Sequence, residues 1–508
     1  MQSAVRLCGA LPALRVVSLA VVLAACGDDD HSATTGAFQA RLDTTPLCPL
    51  VAPPRAGAPP TALRPYGTDL GFSYAANGTV TLLFGDTWPD IATCPIRLND
   101  DSIASLTVPP DWPGFTAGAP LGGADCPQLD FVLSPDGNAV APIELRRWDG
   151  VPVPLGPLNT PVAAFYDGTR EWGVFIVAGG LPCSADDAEH GRPCPATLDP
   201  QAGDLTCGFV GMQPSCLDLT STQTSADGRL AIVLHIAERT GPSSYVARAV
   251  FVTNKFLNFT ARTVRSYNPE NSRGRDYGPG SGALLAWGRP GFDSKGEGGE
   301  APPYLLYHTL PFEVVGEQIL FHPHFFRGTT ASGTPEFVAD QAAAAPLYTH
   351  EFDPVMQMAV SYVAALRQWI MLYGGDVPDV LNGDGNDPDH AQPHARSIHA
   401  RFAPDPWGPW TDPQPILTRE AAAPYMVCDP QGNPSGCLPP PTPIIRPQCL
   451  EAVDRAGFGH LYGPNVLDTL TRAASPVRGR GPAADVFWNV STWHPYGVVL
   501  VKTHIERE

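Results

Sequence analysis

Basic residues are scarce in this 508-residue chain: 32 Lys and Arg stand against 51 Asp and Glu, a formal charge of −19. A groove for nucleic acid needs clustered Lys and Arg, so that class of partner is the first to be excluded. Only 16% of residues are charged and 43% are hydrophobic, which leaves ample apolar surface for a core. Beyond the N-terminal segment, no apolar run is long enough to span a bilayer as a helix. There is no Cys-x-x-Cys pair, which argues against zinc. The chain also lacks a Gly-x-Ser-x-Gly elbow, a phosphate-cradling Gly-Lys-Ser/Thr and a dinucleotide fingerprint opening a helix. Each of these absences removes a class of enzyme.

What the chain does have is punctuation: 57 Pro and 50 Gly. Such a density does not suit a helical bundle and fits many short strands joined by turns. Strand-like runs recur, among them Val80–Phe84, Trp172–Val177, Leu230–Leu234, Tyr245–Thr253, Tyr304–Tyr307, Met356–Tyr362, Trp369–Tyr373 and Tyr496–Val501. They gather into clusters starting near Gly67, Phe131, Leu230, Gly282 and Glu351, each with strands enough for a small sheet. The expectation is an all-β chain, a β-propeller of five blades.

The N-terminus reads as an export signal. Arg6 and Arg15 precede the apolar run 16–23, and Leu23-Ala24-Ala25-Cys26-Gly27 has the form of a bacterial lipobox. The expected organisation is a signal peptide over 1–25, a lipidated flexible tether over 26–60, and the propeller over 61–508. A lipid on Cys26 would anchor the chain at the bacterial cell envelope, with Gly27 favouring the outer membrane. Ten cysteines remain after Cys8 and Cys26, an even number that reads as disulfides in an oxidising compartment. Four of them, Cys183, Cys194, Cys207 and Cys216, fall in an insertion at about 181–225.

Several segments, taken in order, resemble one family. They are Gly67-Thr68-Asp69-Leu70-Gly71-Phe72, Leu83-Phe84-Gly85-Asp86-Thr87-Trp88, Trp287-Gly288-Arg289-Pro290-Gly291-Phe292, His350-Glu351-Phe352 and Arg367–Tyr373. Pro406-Trp407-Gly408-Pro409-Trp410 and Ser491–Leu500 complete the set. Together they are similar to the family long catalogued as domain of unknown function 4185. The resemblance implies a five-bladed propeller glycosidase, with endo-acting D-arabinanases among its members. The cysteine-rich insertion and the Asp/His-rich stretch 376–394 depart from the family pattern.

Glycoside hydrolysis needs two carboxyl groups flanking the scissile bond. In a propeller the innermost strand of each blade lines the axis, so carboxylates at the ends of those strands converge. Asp69 and Asp86, each close to a glycine, are expected at one mouth, and the resemblance marks Asp69 as base or nucleophile. Asp-Leu-Gly is equally ordinary turn chemistry. Glu351, ahead of a later strand, is the expected acid, which must then stay protonated through partial burial. Trp88 and Trp287 are read as faces for a sugar, Asp101 as a rim carboxylate, and Arg289 as a clamp or an inter-blade ion pair. His322, His324, His390, His394 and His399 match no metal-site spacing. No cofactor is expected; the one candidate for a structural calcium is the oxygen-rich stretch 382–389, although it lacks the sixth-position Gly of a helix-loop-helix site. The expected partner is a furanose-containing, arabinan-type polysaccharide. A non-catalytic carbohydrate-binding propeller and a structural envelope lipoprotein are the alternatives, and no motif specifies an oligomeric state.

Overall fold

The computed structural model describes residues 38–51, 67–88, 101–108, 126–153, 160–177, 206–210, 213–217, 232–253, 255–289, 302–348, 357–374, 397–418, 460–477, 481–493 and 497–508, together with Pro65 and residues 421–422. Strands dominate. The first, β1 (Ala40–Val51), stands apart in sequence from those that follow it. Blade one is the sheet β2 (Gly67–Ala76), β3 (Thr79–Trp88), β4 (Ser102–Thr107) and β5 (Gln128–Phe131), in that order. Its first hairpin turns on Asn77-Gly78, both at positive φ, the pairing a tight hairpin demands.

Blade two holds six strands: β6 (Glu144–Arg147), β7 (Pro152–Val153), β8 (Pro161–Tyr166), β9 (Glu171–Val177), β12 (Ile232–Arg239) and β13 (Ser244–Thr253). The hairpin β10 (Thr206–Val210) and β11 (Gln213–Leu217) lies between β9 and β12 in sequence. Blade three runs β14 (Asn258–Val264), β15 (Ala283–Arg289), β16 (Tyr304–Thr309), then, beyond the small hairpin β17 (Glu313–Val315) and β18 (Gln318–Leu320), β19 (His324–Thr329) and β20 (Pro335–Val338). Blade four is β21 (Met358–Val363), β22 (Gln368–Gly374), β23 (Ile398–Ala403) and β24 (Gln414–Leu417). Blade five is β25 (His460–Val466), β27 (Ala483–Trp493) and β28 (Gly497–Arg507), with the short β26 (Arg472–Ala474) at the side of β27.

Five sheets make five blades, and the innermost strands close a ring. Strand β2 packs on β8, β8 on β14, β14 on β21, β21 on β25, and β25 returns to β2. The cores lie between neighbouring blades, because alternate residues of each strand face opposite neighbours. Along β15, for instance, Leu284 and Ala286 join a cluster shared with β9 and β12, while Leu285 and Trp287 join one shared with β21 and β22.

Two expectations need correction. The tether over 26–60 is too long, because residues 40–51 form β1, the outermost strand of blade five, antiparallel to β28 from Ala40↔Arg507 to Val51↔Val498. Pro46 and Pro49 disguise it in sequence. Proline is tolerated on an edge strand, and the register shifts between Pro46 and Cys48 and between Pro49 and Val51. The count of five blades holds, but the partition differs. The clusters near Phe131 and Leu230 are not two blades. Phe131 ends blade one, and the Leu230 run continues blade two, which the insertion divides after Val177. The fifth blade instead begins at His460.

One disulfide, Cys48–Cys126, joins β1 to the residues before β5, with Cα atoms 6.2 Å apart. Cys207 and Cys216 are cross-strand partners in the backbone register of β10 and β11. Cys94, Cys183, Cys194, Cys428, Cys437 and Cys449 lie outside the described residues, as does Cys26.

Candidate functional site

Asp69, Asp101 and Thr160 meet at the end of the ring where the innermost strands begin. Their positions are fixed by buried hydroxyls. Thr68 Oγ1 donates to the Gly85 carbonyl at 2.7 Å and lies 2.9 Å from Thr87 Oγ1, which is 2.7 Å from Ser102 Oγ. That line of hydroxyls ties the start of β2 to the end of β3 and the start of β4. Thr68 and Ser102 are the chain neighbours of Asp69 and Asp101, so the line sets where both carboxylates sit.

Gly85 is what lets them approach. A Cβ there would come within 2.3 Å of Thr160 Oγ1 and 2.8 Å of Asp69 Oδ1, closer than real side chains sit. Thr160 Oγ1 in turn donates to Asp101 Oδ1 at 3.4 Å. Asp69 is 8% exposed and Asp101 is fully covered. From the neighbouring blade five, Tyr462 donates its phenol proton to Asp69 Oδ2 at 3.0 Å.

The backbone beside Asp69 is strained. Leu70 has φ +68 and Gly71 φ +84, and a branched, buried side chain at such a φ is uncommon. Blade five holds the strain in place. The Leu70 N–H donates to Ser491 Oγ at 2.7 Å, and Asn489 Nδ2 donates to the Gly71 carbonyl at 3.0 Å. The pairing of β2 with β3 shifts register on either side of Asp69–Leu70, which leaves Asp69 opposite Gly85 and Leu70 opposite Phe84 while Thr68 and Gly71 fall at the irregularities.

Close to this cluster is a small pocket among the first residues of β2, β8, β14 and β21. Leu70, Phe72, Val162, Phe259 and Met358 enclose only about 10 Å³ together with Thr160, Asn258 and Gln357. Gln357 Oε1 is buried there with no protein partner among the described residues.

The other sequence candidates fall differently. Arg289 ends β15 fully covered, on the strand face it shares with Trp287, toward blade four. Trp287 is a correction. It is fully buried, its Nε1 donates to the Pro406 carbonyl at 3.0 Å, and its ring lies 5.1 Å from that of Trp369, so it has no free face for a sugar. Apolar packing between blades claimed it. Asp86 and Trp88 lie on β3, with the Trp88 backbone opposite Gly67. Glu351 and the stretch 382–389 lie outside the described residues. Tyr462, Thr160 and Asn489 are not singled out by the sequence, and Ser491 enters only as the start of a motif. Their only signal is tertiary, since Tyr462 meets Asp69 across 393 positions.

No family profile matches the chain, and no curated protein matches it in sequence. Among solved structures, a candidate hydrolase from Bacteroides ovatus overlays with a TM-score of 0.34 at 10% identity, covering 86% of each chain. An exo-β-1,3-galactanase from Phanerochaete chrysosporium gives 0.32 at 8% identity over 90% of this chain, which spans 64% of the galactanase. A sialidase from Trypanosoma rangeli gives 0.26 at 9% identity, over 86% of this chain and 54% of the sialidase. These overlaps are too slight for any of those activities to be carried across.

Proposed function

We propose that this chain is an exported glycoside hydrolase of the propeller type, working at the mouth where Asp69 lies. One observation carries the reading: a mostly buried carboxylate beside a strained, clamped backbone, held by a phenol from a different blade. Strain of this kind collects at active sites, because it persists only where the surroundings hold it. A phenol donor favours the ionised carboxylate, the form a base or nucleophile requires.

In this reading Asp69 activates water or attacks the anomeric carbon, and a second carboxyl protonates the departing glycosidic oxygen. Glu351, ahead of β21 in sequence, is our choice for that acid, and Asp86 and Trp88 on β3 remain candidates for the same site. Asp101 supports the site from behind through Thr160. A carboxyl separation of about 5–5.5 Å would give retention, and about 6.5–9.5 Å inversion. The resemblance to the domain of unknown function 4185 family supports a furanose polymer of the arabinan type as substrate. The lipobox supports attachment to the envelope through Cys26.

The test is an endpoint digestion of arabinan, arabinogalactan and a pectic control, run with the unmodified chain and with Asp69→Asn. Oligosaccharides released by the unmodified chain alone support the proposal. Retention of the polymer without release from any of the three refutes hydrolysis and leaves a carbohydrate-binding propeller. Palmitate labelling that disappears in Cys26→Ser would support the anchor.

A further inference from the structure

Among the described residues, a larger cavity lies at the other end of the innermost strands. It encloses about 840 Å³ and is lined from the C-terminal ends of β2, β8, β14 and β21 and from the residues after β25, so all five blades contribute. That volume falls in the range of small-molecule sites, about 300–1,000 Å³.

Its chemistry is specific in two respects. First, an ion pair is closed within it. Arg262 Nε lies 2.8 Å from Asp468 Oδ2, and Ser361 Oγ donates to Asp468 Oδ1. Arg472, the other charged group in the lining, lies 3.8 Å from Asp485, so the cavity offers donors and an acceptor with little net charge, which suits neither a strong anion nor a strong cation. Second, three of the four tyrosines in its lining are held by their hydroxyls, Tyr166 through the Gly168 carbonyl at 2.8 Å. Tyr74 donates to Glu171 at 2.5 Å, and Tyr277 to Asp405 at 2.6 Å. The rings are thereby fixed in orientation before any ligand arrives. Tyr362 packs edge-on to Tyr277, with centroids 5.2 Å apart, and is itself half-buried at the cavity wall.

Oriented aromatic rings beside a neutralised carboxylate, guanidinium and hydroxyl match one ligand class, a neutral ring bearing several hydroxyls and apolar C–H faces. We propose that this mouth is a second, non-catalytic site that binds a short neutral oligosaccharide. It goes beyond the reading of Asp69, and the two sites lie at opposite ends of the innermost strands.

The experiment is isothermal titration of the full chain with arabinotriose, galactotriose and xylotriose, on the unmodified protein, Asp69→Asn, Tyr362→Ala and Ala365→Trp. Tyr362→Ala removes one ring at the wall, and Ala365→Trp fills the mouth from a turn without deleting a contact. Circular dichroism and melting temperature verify folding of each variant. For at least one trisaccharide, binding should persist in Asp69→Asn, weaken about tenfold in Tyr362→Ala and vanish in Ala365→Trp. Polymer cleavage by the unmodified protein should be retained in both cavity variants. Absence of binding by all three sugars to Asp69→Asn, or binding indifferent to both folded cavity variants, overturns the second site. Cleavage that continues alongside such a failure leaves the role of Asp69 intact. Cavity binding without any cleavage would sink only the hydrolase.

Discussion

The phenol of Tyr462 donates to Oδ2 of Asp69 at 3.0 Å, across the seam where blade five meets blade one. The bond joins residues from opposite ends of the chain. It means the site is complete only when the ring is closed.

Tyr462→Phe should therefore lower kcat about tenfold with KM and melting temperature little changed, because only the donor to the carboxylate is lost. Asp69→Asn should lower it far further. Steady-state kinetics on a soluble arabinan fragment, with melting curves alongside, would check the split. A matched loss of stability would make Tyr462 a structural residue only.

Gly85→Ala is expected to damage the site more than the fold. The new methyl would meet Thr160 Oγ1 and Asp69 Oδ1 at once, and one or both must shift. Displacing a reacting group by about 1 Å can cost about a hundredfold in rate. Turnover beside a thermal melt decides the point, and unchanged kcat would show that neither oxygen takes part.

The strands were legible where branched and aromatic residues alternate, as in Val80–Phe84, whose Leu82, Leu83 and Phe84 are all fully buried. The place of Asp69 near the start of β2 was legible because an aspartate with glycines two positions to either side, opening a strand, is a local pattern. Strand β1 was not, since Pro46 and Pro49 mimic a linker and its pairing partner lies at the other end of the chain. Nor was the role of Trp287, because an aromatic beside Gly-Arg-Pro has the same local pattern whether it faces an axis or a neighbouring blade. Contacts set by ring closure leave no periodic trace.

Replacing Cys48 or Cys126 by Ser should remove about 4 kcal/mol of stability, as expected for freeing a loop whose ends are 78 positions apart. Urea unfolding of the oxidised protein against either variant is the measurement. An unchanged midpoint would mean that the pairing of β1 with β28 holds the seam alone.

Acid should destabilise the protein through His235. It is fully buried on β12 between Phe175 and Val250, and neither ring nitrogen has a partner among the described residues. Burial, helped by Arg147, pushes its pKa down to about 4 from 6.5. The unfolded chain binds the proton first, so stability is complete above about pH 6.5 and falls as pH drops toward 4, by about 3 kcal/mol. His235→Leu should move the acid-unfolding midpoint to lower pH. A midpoint that stays in place would assign acid sensitivity to other groups.

The place of β1 has a consequence for how the molecule is made. Among the described residues, β1 is the first strand in the sequence and pairs only with β28, the last. Synthesis at about 5–20 residues per second keeps those partners apart for tens of seconds. Until then β1 has no strand to pair with, and its pairing is among the most sequence-distant in the ring, the kind that forms slowly. A chain truncated just before Gly497 would keep β25 and its contact with β2 but leave both β1 and β27 without β28, so the outer edge of blade five is the part that waits for the C-terminus.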